Sequence, residues 1–169
     1  MAYLITFACY GARLHGDQAG SVDRQHNVPG SDFLPPDARR LSIEQRQMRQ
    51  SAYRLDKPSR AIVLKAIVES RSHKGWSVLA VHVRRNHIHV VVRAQETAEK
   101  MLNHFKSYAS RALNRTDKER RRRIRWSRHG STPYLWKSEH VRAAMEYVIH
   151  GQGERMAVWE SAEPICNAG

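Results

Sequence analysis

The chain has 169 residues, 41% of them hydrophobic, enough to fill the core of one compact domain. Lysine and arginine outnumber aspartate and glutamate by 29 to 16, a formal net charge of +13 that points to a polyanionic partner, because each neutralised phosphate releases condensed counterions. The two cysteines, Cys9 and Cys166, lie at opposite ends with no C-x-x-C spacing, which excludes a disulfide framework and a cysteine zinc site and fits a reducing cytoplasm.

The apolar stretch from Tyr3 to Tyr10 is too short to span a bilayer and follows no basic n-region, so it reads as a strand and no membrane partner is expected. Glycines and prolines then break the pattern at Gly11, Gly16, Gly20, Pro29, Gly30, Pro35 and Pro36, giving a long polar connection over residues 11 to 57. Within it, Leu41 to Ser51 reads as a short exposed helix, and Pro58 separates it from the next element. From Ser59 to His73, Ile62, Val63, Ala66, Ile67 and Ser70 form a helical stripe opposite Lys65, Glu69 and Ser72, and Gly75 supplies the stop. Trp76 to Arg84 and His87 to Arg93 are β-branched runs joined by Arg85-Asn86, which predicts a tight antiparallel hairpin. Thr97 to Leu113 places Met101, Leu102, Phe105, Tyr108, Ala109, Ala112 and Leu113 on one helical face. A basic run from Lys118 to Arg128 comes next, and a last helix spans about Ser138 to His150. Strand, helix, strand, strand, helix, helix is the order of an α+β domain, with a ferredoxin-like antiparallel sheet and helices packed on one face.

His87-Ile88-His89 opens the second hairpin strand, where alternation turns both imidazoles to one face and Ile88, Val90 and Val92 to the other. Two cation ligands are then pre-aligned, although two polar residues on the exposed side of a half-buried sheet meet the same pattern. A catalytic metal needs at least one ligand more.

A tyrosine attacks phosphorus when its hydroxyl is deprotonated or aligned, since a phenol with a pKa near 10 is otherwise a weak nucleophile. Tyr3, Tyr10 and Tyr134 read as packing residues, Tyr53 lies in the polar connection, and Tyr108 falls inside an apolar stripe. Tyr147 stands one turn before His150 at the end of the last helix, where Gly151, Gln152 and Gly153 release the chain. Ala143, Ala144 and Val148 flank it, so its spacing suits packing as well as nucleophilic attack.

Taken together, these residues resemble the single-tyrosine HUH transposases, including the REP-associated tyrosine transposases and the smallest insertion-sequence enzymes. Arg85-Asn86-His87-Ile88-His89 looks like the family's Asn-His-x-His hairpin, and Phe105-Lys106-Ser107-Tyr108 like its lysine-and-serine helix. Tyr134-Leu135-Trp136 resembles the short aromatic strand before the last helix, and Tyr147-Val148 the opening of the catalytic segment. The resemblance covers about residues 3 to 152. It implies an HUH-type fold, a homodimer, and a bacterial, DNA-associated enzyme that cleaves and rejoins single-stranded DNA, often beside a hairpin. It further implies that Tyr147 is the nucleophile and that His87 and His89 bind Mg²⁺ or Mn²⁺. Family members usually carry Gln or Asn four residues after the tyrosine; here Gly151 stands there, and His150 and Gln152 flank it as alternative third ligands. Lys106 and the basic run through Arg120, Arg121, Arg122, Arg123, Arg125 and Arg128 are expected to contact DNA, with Trp126 stacking on an unpaired base. His82, Arg84 and Arg85 border the hairpin and extend that positive surface. Two other readings fit the scaffold: a non-catalytic single-strand-binding protein, and a metal-dependent nuclease that uses water, for which Tyr147 is dispensable. A domesticated transposase is a further variant.

Overall fold

The computed structural model describes residues 1–12, 37–117 and 123–162. Five strands, β1 (Ala2–Cys9), β2 (Ser77–Val83), β3 (His87–Arg93), β4 (Trp126–Ser131) and β5 (Ala157–Glu160), form one antiparallel sheet in the order β4-β1-β3-β2-β5. Without β5, this is the ferredoxin-like order, with β3 inserted between β1 and β2. The four helices are α1 (Ala38–Gln47), α2 (Lys57–Lys74), α3 (Ala98–Thr116) and α4 (Ser138–His150).

Local chemistry explains where these elements begin and end. The Asp56 carboxylate accepts from the Ser59 amide and caps α2, which starts at Lys57; Pro58 sits in its first turn, where a missing N–H costs nothing, and does not delay the helix to Ser59. Gly75, at φ 65°, closes the helix in the left-handed conformation. Thr97 caps α3. The exposed α1 buries no residue.

One apolar layer lies between the sheet and α2 and α3, where Ile5, Phe7, Val81, Ile88 and Val90 meet Val63, Ile67, Met101 and Phe105. The expectation of helices on one face holds for this pair only. Ala2, Leu79, Ala80 and Val91 form a second apolar patch on the opposite face, and α4 covers it with Val141, Ala144, Met145, Val148 and Ile149, an i, i+3, i+4, i+7, i+8 stripe. Two strands go beyond the sequence expectation. β4 takes up the end of the basic run, and β5, four residues long, pairs with β2 after the last helix.

A bulge in β2 sets the direction of the polar side chains beyond it. The register slips between Val78 and Ala80, so Leu79 and Ala80 both face α4 and the alternation past them is reversed. Strict alternation from Val78 would send His82 toward α2 and α3. The slip instead pairs His82 directly with His89, on the α4 side.

Candidate active site

Three central strands bring polar side chains into one row beneath the end of α4. Thr6 of β1 pairs with His89 of β3, and His89 with His82 of β2; Ser131 of β4 and Val158 of β5 complete the row. Paired residues of an antiparallel sheet share a face, so Thr6, His89 and His82 are lateral neighbours.

The hairpin carrying the histidines is clamped at its tip. The Asn86 carbonyl accepts from the Cys9 amide at 2.7 Å and the Arg85 carbonyl from the Leu55 amide at 2.7 Å. The Asn86 side chain faces His87, its Oδ1 2.7 Å from His87 Nδ1. An amide oxygen only accepts, so Nδ1 carries the proton and Nε2 becomes the lone-pair nitrogen, the atom a cation takes. His89, 4% exposed, has Nδ1 2.7 Å from the Thr6 hydroxyl, which holds the ring in place; a hydroxyl can donate or accept, so this contact orients the ring without setting its tautomer. The two imidazoles lie 4.9 Å apart, centroid to centroid.

Tyr147 reaches this pair from the far side. Its ring sits edge-on to His89, the centroids 5.8 Å apart, and the residue is 48% exposed, so the tyrosine packs against the histidine while remaining open to solvent. Tyr147 is not a core tyrosine: α4 buries Ala144, Val148 and Ile149 around it instead.

The ligands beyond the histidine pair divide. Among the described residues no group of three or more His, Cys, Asp or Glu side chains could hold a metal ion. His150 is exposed on the last turn of α4, and among the described residues it forms no such group with His87 and His89. Gln152 is half-buried, and its side-chain nitrogen donates to the Tyr147 carbonyl at 3.4 Å, which keeps it against the same turn. By their chemistry His87 and His89 are suited to hold a cation as nitrogen donors, and oxygen ligands would have to complete its coordination.

His82 is wholly buried, and both ring nitrogens are engaged. Nδ1 lies 2.9 Å from the Val148 carbonyl and so donates; Nε2 accepts from the Met156 amide at 3.2 Å. That pattern requires the neutral imidazole. Burial pushes its pKa below the usual histidine value, and the charges of Arg84 and Arg155 push the same way, against the opposing pull of the Val148 carbonyl. His82 consequently adds no positive surface, contrary to expectation. Asn86 is visible in the sequence as the residue before the first histidine, whereas the place of Thr6 beside His89 depends on the β1–β3 register and leaves no sequence signal.

Three expected DNA contacts are spent inside the molecule. The Lys106 ammonium donates to the carbonyls of Ser127, Arg128 and His129, and burial lowers its pKa. Arg125 is buried, bonded to Asn114 Oδ1 and 3.8 Å from the Asp117 carboxylate. The Trp126 indole donates to the Lys106 carbonyl and to Ser110, and packs edge-on against Phe7. All three fasten β4 to α3. Arg123 and Arg128 are exposed, while Arg120, Arg121 and Arg122 lie outside the described residues. The open indole is Trp136, 79% exposed and braced at 4.3 Å by Tyr134, whose ring rests on Tyr3.

Among the described residues no helix is long and apolar enough to cross a membrane. The family model for transposases of the IS200-like type matches residues 46–148. Among solved structures, a REP-associated tyrosine transposase bound to a REP hairpin is 10% identical with a TM-score of 0.48, over 89% of this chain and 65% of that one. A candidate transposase of Deinococcus radiodurans R1 is 13% identical with a TM-score of 0.46, over 93% of this chain and 92% of that one. The chain thus spans slightly less than two thirds of the first of these. No curated protein matched.

Proposed function

The chain belongs to the IS200-like transposase family, and we propose that it cleaves and rejoins single-stranded DNA through a covalent bond to Tyr147, with His87 and His89 holding a divalent cation, Mg²⁺ or Mn²⁺. The observation that carries this reading is the meeting of a half-exposed tyrosine, 5.8 Å from His89, with two histidines whose Nδ1 atoms are fixed by Asn86 and Thr6.

Tyr147 Oη attacks a backbone phosphorus; the Oη–P bond forms as the P–O3′ bond breaks. The phenolic proton leaves to solvent, and the departing 3′ oxygen takes up a proton to become a hydroxyl. The product is a 5′-phosphotyrosine, which conserves the energy of the broken ester, so a second 3′-hydroxyl can reverse the attack and join new ends without ATP. A divalent cation, when bound, neutralises charge on the non-bridging phosphate oxygens. The chain's own groups do the rest. Asn86 and Thr6 orient the imidazoles, and the hydrogen-bonded hairpin tip keeps them in place before substrate arrives. Arg123 and Arg128 are available to phosphates, and Trp136 to an unpaired base. A homodimer and a hairpin beside the cleaved strand belong to the same reading.

The test is to mix the protein with labelled single-stranded DNA from both flanks of its own gene, with Mn²⁺ or Mg²⁺, and resolve the products on a denaturing gel. We expect a labelled band at protein mass that disappears on chelation, in Tyr147→Phe and in His87→Ala. Cleavage that survives Tyr147→Phe without an adduct would instead establish a water-using nuclease, and salt-sensitive binding with no cleavage a non-catalytic binder.

A further inference from the structure

The last four carbonyls of a helix have no partner within it, and an exposed C-terminal turn frays unless something accepts that role. In α4 that turn carries Tyr147. The Gly151 amide closes onto the Tyr147 carbonyl, and the next carbonyl, Val148, is met by a side chain from the sheet, His82 Nδ1, at 2.9 Å. The same ring accepts from Met156 through Nε2, gathering the chain as it returns toward β5. His82 is also the cross-strand partner of His89, and it faces this side only because the bulge at Leu79 reverses the alternation of β2. One buried ring therefore touches both halves of the site: the strand position beside the metal-binding pair and the helical turn bearing the nucleophile.

We propose that His82 is a positioning residue, capping the last turn of α4 through the Val148 carbonyl and so holding Tyr147 in register with His87 and His89. The inference rests on Tyr147 being the nucleophile. His82 touches no DNA and exchanges no proton in this role; it acts through the placement of the phenol.

Two conservative variants separate the two hydrogen bonds. His82→Asn puts an amide N–H near the place of Nδ1, keeping the cap and losing the Met156 link. His82→Gln reaches toward Met156 and loses the cap. Adduct formation is followed in a single turnover with saturating single-stranded DNA and Mn²⁺, beside DNA affinity measured without metal and thermal melting. We expect His82→Gln to slow adduct formation at least tenfold with affinity within about twofold of wild type, and His82→Asn to retain most of the rate. Equal slowing in both variants, or none in either, overturns the proposal. Should a variant fail to fold, the wild-type ring-nitrogen NMR spectrum decides: a protonated Nδ1 and an unprotonated Nε2 at His82 support the cap, and any other state overturns it. If the wild type forms no adduct, it is the assigned function that fails. Tyr147–His89 nuclear Overhauser contacts, kept in His82→Asn and lost in His82→Gln, then report the positioning on their own.

Discussion

At Cys9, burial among the β1 core residues pushes the thiol pKa up to about 12, and the Arg85 carbonyl lies 4.0 Å from its sulfur. The thiolate is the reactive species, so at pH 8 this sulfur is protonated in essentially every folded molecule. Native protein treated with iodoacetamide at that pH will leave the Cys9 peptide unmodified in mass spectrometry, and denaturant will expose it to full labelling. The sign of the pH effect comes from the raised value. An unfolded thiol loses its proton near 9.0, whereas the folded one keeps it to about 12, so the Cys9 contribution is intact below pH 9 and drains away between the two. Over that window, the unfolding free energy of wild type should fall more steeply than that of Cys9→Ala, as read by denaturant titration. Lys106 is the second residue whose chemistry is turned inward. Its three bonds to the Ser127, Arg128 and His129 carbonyls make it a strap on β4. Lys106→Met leaves those carbonyls without their cation, which costs about 1–3 kcal/mol and about 2–4 °C of Tm for each kcal/mol. The salt dependence of DNA binding should not change, since this ammonium neutralises no phosphate.

The elements obey their sequence signals to different degrees, and the reasons are physical. β3 and α4 match their expected bounds, because an unbroken β-branched run and a clean heptad-like stripe leave one way to bury their apolar sides. The face that α4 covers is not legible: periodicity marks an apolar side and says nothing of which side of the sheet receives it. Nor is the bulge at Leu79, for Val78-Leu79-Ala80-Val81 is apolar on both faces and carries no glycine to announce a slip. His87, His89 and Tyr147 can be singled out because residues i and i+2 of a strand share a face and Tyr147 ends an amphipathic helix. The engagement of Lys106, Arg125 and Trp126 cannot, since a cation bound to carbonyls reads in sequence like one waiting for phosphate. β4 is hidden for the same reason, its residues having the composition of a basic loop. Its closeness to the sheet depends on Gly130, where a Cβ would stand 2.7 Å from the Thr6 carbonyl and 3.0 Å from the Leu102 methyls. Gly130→Ala must push β4 from β1 or displace Leu102, a cost of about 1–3 kcal/mol. Amide exchange should locate the loosening in β4 and the adjoining part of β1, with α2 and β2 protected as in wild type.

Two properties belong to the molecule as a whole: its charge and the way one chain assembles the site. With a net charge of +13, single-stranded DNA affinity should fall linearly on a log–log plot against salt, with a slope of about 0.7 for each phosphate contacted. Replacing exposed Arg128 by Ala should lower that slope by less than one unit, whereas Trp136→Ala should weaken binding with the slope unchanged, because stacking releases no counterion. The histidines lie on β3 and the tyrosine on α4, and α4 packs on β2 and β3 of its own chain through Leu79, Ala80 and Val91. The connection from α4 to β5 is six residues, 151–156, and His82 bonds to Val148 in the helical turn before it and to Met156 at its end. Swapping α4 onto a partner would have to break that buried seam. A dimer, if formed, should therefore contain two complete sites. Mixing Tyr147→Phe with His87→Ala tests this directly: each variant lacks one half of the chemistry, and a site shared between subunits would recover about a quarter to a half of the wild-type adduct in the mixed dimer. A site built within one chain recovers none, at any mixing ratio and after unfolding and refolding the two together, and that is the outcome the packing of α4 leads us to expect.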